Sequence, residues 1–337
     1  VGDALRYVSE LAQGDVLAVD VGGATTDVFS VIDGEFYRTV SANLGMSYSM
    51  GNVLGEAGID AVMRWLPGQW DDNILRNWNF NKMIRPTTLP QTFEELMLEQ
   101  AVCKEVLRLS MSHHKSLIRE LKGVQRRRSI GDMFYQVPSG ETLVDMMKVK
   151  AIVGTGGSLS YAPRRNQAAM ILIDGFQPEG VTDLYVDSQF LLPHMGALMD
   201  LDSDIAEEMM MTECLVPLGT CVVPMGPRVS PGTVMAQVKI GERTYEVVGG
   251  EITVIPLDHA DTTRMEIMPG RNFDVGEGPG RPMVKEGVTG VTGVILDGRA
   301  RPIVFPAADS YQYGAVARWY SEFDAYPAEF LDNLTRR

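Results

Sequence analysis

From Val16 to Val40 the apolar positions follow a strand pattern: a continuous run at Val16 to Val19, alternation through Val28 and Val31, and a third short segment from Glu35 to Val40. The spacing predicts three consecutive strands over 16–21, 26–32 and 35–40, with Asp33-Gly34 as the hairpin turn between the last two. Ahead of them Ala4, Leu5, Val8 and Leu11 are spaced as on a helix, and Val53, Leu54, Ala57, Ala61 and Val62 repeat that spacing after the strands. Residues 69–90, with Trp70, Trp78 and Phe80 among polar turn clusters, read as short helices in an irregular, lid-like insertion. Thr92 followed by Glu95 forms a capping-box pattern, and the apolar positions after it predict a long helix to about Leu121.

A buried strand over 150–153 ends in Gly154-Thr155-Gly156-Gly157-Ser158, whose polar residues could cap a following helix. The runs Ala168 to Asp174 and Leu184 to Asp187 read as strands, and Phe190 to Met199 as a helix. Beyond Leu215 the texture changes to alternating segments separated by Pro and Gly: 234–240, 244–248, 251–255, 291–296 and 302–305, followed by a helical stretch over 311–334. The expected class is α/β. It divides into an α/β half over 1–214, with a helical insertion at about 69–135, and a mostly β domain over 215–337.

The 337 residues, 45% of them hydrophobic, suffice for one large core or two moderate ones. A net charge of −14 argues against a broad nucleic-acid or anionic-membrane surface, so no nucleic acid and no membrane is expected as partner. Cys103, Cys214 and Cys221 are odd in number and form no Cys-x-x-Cys pair, which points to a reducing cytoplasm rather than a disulfide framework or a zinc site. No run approaches the ~18 apolar residues of a membrane span. The chain opens on Val1, part-way into a helical pattern, and is expected to be a piece of something longer.

The chemistry concentrates in Asp20-Val21-Gly22-Gly23-Ala24-Thr25-Thr26-Asp27. Two β-branched strands bracketing a Gly-Gly turn place bare backbone at a sheet edge, where amide N–H groups and small hydroxyls converge on phosphate oxygens. The other reading is a tight hairpin that uses glycine only for its backbone freedom. No lysine follows the glycines and no helix opens after them, so neither of the common nucleotide-loop fingerprints applies. Asp20, at the end of a buried strand, suits Mg²⁺ held through water or the orientation of an attacking water, whereas Asp27 suits a role in tying the turn together. Glycines at 154–157 would let a flat ring approach the backbone; alternatively they only permit tight strand-to-helix packing. His113 and His114 are adjacent, point to different helix faces and read as packed or solvated groups rather than a metal pair. Arg126-Arg127-Arg128 reads as a solvated loop, and the glycine-rich stretch 276–280 as a flexible one.

A strand, a Gly-Gly-x-Thr-Thr-Asp turn and a returning strand resemble the second phosphate loop of the actin-like ATPase superfamily, whose fold is of the ribonuclease H-like kind. The order phosphate loop, helical insertion, Gly-Thr-Gly-Gly turn is that superfamily's order, here at a separation of ~130 residues. Within it, the hairpin together with Asn43-Leu44-Gly45-Met46, Gly154-Thr155-Gly156-Gly157 and Tyr311-Gln312-Tyr313-Gly314 is similar to the MutL/GlmL family, associated with adenosylcobalamin-dependent glutamate and ornithine aminomutases. The resemblance implies a chaperone-like ATPase, a reactivating factor that maintains or reactivates such a mutase with ATP or ADP and Mg²⁺. It assigns Gly22, Gly23, Thr25 and Thr26 to phosphate, Asp20 to Mg²⁺ or the attacking water, and Gly154, Thr155, Gly156, Gly157 and Ser158 to the adenosine edge. The superfamily site lies between two halves that each supply a phosphate hairpin. Only one is visible here, so hydrolysis is expected only of a longer protein. The alternative is a non-catalytic scaffold that keeps the actin-like half and binds a protein through its β domain. A small-molecule kinase or hydrolase would need a substrate acid or base near the loop, and none is identifiable.

Overall fold

The computed structural model describes residues 1–119, 141–257, 262–305 and 310–336, with the side chains of 310–312 left aside. The Arg126 to Arg128 run lies outside the described residues. Helix α1 (Gly2–Ala12) precedes β1 (Asp15–Val21), β2 (Thr26–Ile32) and β3 (Glu35–Ser41). Then come α2 (Met50–Ala57), α3 (Ile59–Met63), α4 (Asp72–Ile84) and the long α5 (Phe93–Leu117). They are followed by β4 (Val149–Gly156), the single turn α6 (Gly157–Ser160), α7 (Arg165–Phe176), β5 (Gly180–Asp187), α8 (Leu192–Met199), α9 (Ser203–Met209) and a π-helical turn over Met210–Cys214. The remainder holds β6 (Leu215–Val223), β7 (Val234–Ile240), β8 (Arg243–Val248), β9 (Ile252–Ile255), β10 (Thr262–Pro269), β11 (Met283–Val288), β12 (Gly293–Asp297), α10 (Ser310–Glu322) and α11 (Ala328–Thr335).

The class is α/β with mixed sheets. Eight strands run in the order β3-β2-β1-β4-β5-β6-β12-β9, and a second sheet runs β11-β10-β7-β8. The three N-terminal strands form the expected antiparallel meander, while β1 pairs in parallel with β4 and β4 with β5. The main sheet does not stop at residue 215: β6 joins β5, β12 joins β6 and β9 closes the edge. The expected mostly β segment is therefore split. Three of its strands complete the large sheet and four form the small one.

Alternation along β1 explains why both faces are covered. Leu17, Val19 and Val21 point into one core with α5, α7 and the C-terminal helices; Val16 and Ala18 point into the other, against α1 and α8. The small sheet continues that second layer: Ala236, Val238, Met265 and Ile267 meet Val181, Val222, Val294 and Leu296 of the large sheet.

Two segments differ from their sequence reading. Ala168 to Asp174 is helical, inside α7, not a strand; every residue from Gln167 to Phe176 is buried, so no polar face marks the helical period. Its N-terminus is closed by Gln167 Oε1, which accepts from the Arg164 amide at 3.2 Å. Pro302 to Phe305 is irregular rather than a strand. Helix α5 ends at Leu117, short of the expected Leu121; at its start the Glu95 amide donates to Thr92 Oγ1 at 3.2 Å, and Glu95 Oε2 takes the Gln91 amide, one residue before the cap. No helix among the described residues is long and apolar enough to cross a membrane. All three cysteines are buried and unpaired.

Beneath the sheet sits a cluster of charges. Lys104 of α5 pairs with Asp174 of α7 at 2.8 Å; Arg299 spans Asp174 and Asp297 at 2.9 Å each, and Arg301 adds to Asp297 at 2.7 Å. None of these five side chains is more than 2% exposed. Lys104 also donates to Tyr320 Oη of α10 at 3.1 Å, and that hydroxyl donates to the Trp65 carbonyl at 2.8 Å. Burial acts to raise the Asp297 carboxyl, but the two guanidiniums overcome it and hold it far below the usual carboxylate range.

His114 is buried between two hydroxyls, Thr39 Oγ1 on Nδ1 and Ser30 Oγ on Nε2, both at 2.9 Å. Hydroxyls donate or accept, so either neutral tautomer is satisfied without a charge. Burial, helped by the neighbouring His113 and Lys115, lowers its pKa from 6.5 to about 4. The folded state then stays neutral where the unfolded chain takes up a proton. Stability is fully present above pH 6.5 and is lost as pH falls toward about 4, by roughly 3 kcal/mol. Urea unfolding between pH 7.5 and 4.5 will show this slope, and His114→Gln will flatten it.

Candidate functional site

Because β1 and β4 are parallel neighbours, the loops at their carboxyl ends open side by side. Val21 pairs with Gly156, and Asp20 with Thr155. Gly156 has φ +100, and a Cβ there would collide with the Val21 backbone, so only glycine lets the two strand ends meet. The hairpin is held from its far side. The amides of Met46 and Ser47 donate to the carbonyls of Gly22 and Gly23 at 3.0 and 2.9 Å, and Ser49 Oγ donates to the Ala24 carbonyl at 2.7 Å. Gly45 permits this approach, since a Cβ would overlap Gly23 and Ala24. With those carbonyls engaged, the amides of Gly23 and Ala24 have no acceptor among the described residues.

Both glycine loops line one cleft of about 760 Å³. Asp20, Gly22, Gly23, Gly156, Gly157 and Ser158 are on its wall; Thr25, Thr26, Gly154 and Thr155 are not. Thr26 is fully buried and its Oγ1 has no partner. Gly154 faces Leu159 and Leu172, which makes it a packing position. Thr155 is buried, with its hydroxyl 3.4 Å from Asp187 Oδ2. The expected phosphate and adenosine motifs are thus brought together, but only six of the ten expected residues line the space.

Asp20 is half-buried and its carboxyl is raised above the ordinary aspartate value. Burial is the largest cause, the negative charges of Asp27 and Asp187 add to it, and Arg38 opposes. A carboxyl raised in this way at a cleft makes Asp20 a candidate functional group. Asp27 is instead paired with Arg38 of β3 at 2.8 Å, tying β2 to β3 and not the Gly-Gly turn that the sequence suggested. Among the described residues no three His, Cys, Asp or Glu side chains gather as a direct metal cage.

Sequence reasoning missed several wall residues, because each arrives from a distant segment. Lys82, from α4, lines the cleft; its ammonium pairs with Glu99 of α5 at 3.1 Å and donates to the Thr88 carbonyl. Gln100 and Gln167 also line it, and both reach the C-terminal segment: Tyr326 Oη donates to Gln100 Oε1 at 2.7 Å, and Gln167 Nε2 donates to the Ala325 carbonyl at 2.7 Å. Tyr161 and Phe190 complete the wall beside Gly157.

A family model described as MutL protein matches residues 1–214. The chain belongs to the MutL protein family. The matched span takes in the hairpin, the insertion, the Gly-Thr-Gly-Gly turn and everything through the π-helical turn, so each cleft residue except Ala325 falls within the MutL region. A curated relative, Protein MutL of Clostridium tetanomorphum, is 26% identical over 209 residues, a stretch that takes in 56% of this chain. The chain spans 42% of that MutL protein's length.

The two glycines of the MutL turn have opposite surroundings. Gly156→Ala forces a Cβ into the Val21 backbone at positive φ and is expected to cost about 2 kcal/mol or more. An added Cβ at Gly157 meets nothing within 4 Å, so Gly157→Ala should leave stability within about 0.5 kcal/mol. Thermal unfolding of the two variants beside the parent checks the contrast.

Proposed function

We propose that the chain is the nucleotide-binding part of an actin-like ATPase, a chaperone-like accessory protein that maintains or reactivates an adenosylcobalamin-dependent aminomutase. The observation that carries the reading is the convergence of the two glycine loops, ~130 residues apart in sequence, on one cleft beside a half-buried aspartate. Membership of the MutL family, the relation from which the link to glutamate mutase is drawn, supports the choice of partner.

The residues present fit a magnesium nucleotide. The acceptor-free amides of Gly23, on the cleft wall, and of Ala24 next to it are anion-binding groups. Asp20 suits Mg²⁺ held through its water shell. Gly157 leaves room beside the backbone for a flat ring. Magnesium would supply charge neutralisation on the phosphates; the chain's part is to position them, with Asp20 at the turn and Lys82 held by Glu99 on the insertion side. Hydrolysis is proposed for the full-length protein, in which a second phosphate hairpin would face the first.

Calorimetry on the full-length protein tests this. Mg·ATP and Mg·ADP are expected to bind, and Asp20→Ala and Gly23→Val to weaken them at least about tenfold, the loss of one charge-assisted contact or more. ATP should also shift the affinity for the mutase. A folded protein that binds neither nucleotide would sink the reading and favour a scaffold that meets its partner regardless of nucleotide.

A further inference from the structure

Five residues other than glycine have positive φ among those described. Gln13 and Gln177 cap helices, Asp33 sits in the Asp-Gly hairpin turn, and Asp324 lies in the turn between α10 and α11. Phe190, at φ 58, has no such reason: α8 begins two residues later, and bulky side chains avoid this region. Its backbone is imposed from below. Asp187, with no solvent exposure, accepts from the amides of Gln189 and Leu191 on Oδ1 at 3.2 and 3.0 Å, and from Leu192 on Oδ2 at 2.9 Å. Ser160 Oγ donates to the Asp187 carbonyl at 2.6 Å, binding this loop to the turn after β4.

The Phe190 ring lies on the cleft wall, 5.3 Å from the ring of Tyr161, which is itself 68% exposed. Two aromatic rings left accessible at a cleft, one of them held against its backbone preference by a buried carboxylate, form the arrangement of a ligand clamp. The neighbouring Gly157 offers open space in which a planar group can lie against them.

We infer that Phe190 is a binding contact of this cleft, packing on the base of the bound nucleotide, and that Asp187 is its positioning residue. The inference rests on the nucleotide reading above. Base-on-aromatic contact depends on a π face, so leucine of similar bulk cannot replace it, whereas tyrosine can.

The test titrates Mg·ADP into full-length parent, Phe190→Tyr, Phe190→Leu, Phe190→Ala, Asp187→Asn and the Asp187→Asn/Phe190→Ala pair, with thermal unfolding of each ligand-free protein. Expected results are parental affinity for Phe190→Tyr, a loss on the order of tenfold for Phe190→Leu and Phe190→Ala, and a loss for Asp187→Asn that shrinks in the Phe190→Ala background, so that the double variant loses less than the two single losses together. Equal Mg·ADP affinity in Phe190→Ala and the parent would overturn the inference and leave the nucleotide reading standing, as would full retention by Phe190→Leu. Failure of the parent to bind Mg·ADP would remove both. Should Asp187→Asn not fold, the Phe190 series decides alone.

Discussion

The parallel pairing of β1 with β4 is the constraint on which the site depends. From this pair the chain leaves in opposite directions: β1 turns back through the hairpin toward β2 and β3, and β4 proceeds through α6 and α7 toward β5. A sheet in which neighbouring strands send their connections to opposite sides opens a crevice at their carboxyl ends. The pairing can be this intimate only because Gly156 carries no side chain against Val21. A single missing methyl group thus fixes the spacing of two loops that sequence separates by an insertion and a 25-residue helix.

Much of the framework was legible because it is locally encoded. The meander over β1 to β3 follows from alternation and an Asp-Gly turn, the start of α5 from Thr92 and Glu95, and the strand before the Gly-Thr-Gly-Gly turn from a continuous apolar run. What failed was local evidence with two meanings. Ala168 to Asp174 has no polar face to betray a helix, because α7 is enclosed on all sides. The change of texture at Leu215 is real, yet strand partners are chosen by long-range pairing. Thus β6, β12 and β9 extend the first sheet instead of beginning another, and β10 and β11 went unread, although Arg264 and Glu266 alternate with the buried Met265 and Ile267 along β10.

The candidate site divides along the same line. Its glycines were visible as motifs, whereas Lys82, Glu99, Gln100, Asp187 and Phe190 carry no local signature; each matters only because of what folding sets beside it. Thr155 and Gly154 show the converse. They belong to the motif, but strand alternation and the approach of α7 turn them toward Asp187 and the core. Motif membership therefore fixes where the backbone runs and leaves open which side chains reach the cleft.

The C-terminal helices are bound to this cleft through charge as well as through apolar contact. Lys104 and Asp174 belong to the two helices beneath the sheet, Arg299 and Asp297 to the end of β12, and Tyr320 to α10. Formation of such a cluster gives little net stability, because desolvation offsets most of the attraction. Separation of its members is another matter: each unpaired charge left in the interior costs about 3–5 kcal/mol. A shift of α10 away from α5 would break the Lys104–Tyr320 hydrogen bond and leave the ion pairs among Lys104, Asp174, Arg299 and Asp297 in place. Gln100, Gln167 and the Ala325 backbone sit on the same elements and on the cleft wall. The sheet, α5, α7 and the C-terminal helices accordingly share one buried core. Helix α4 joins the same core through Leu75 and meets α5 at the Lys82–Glu99 pair.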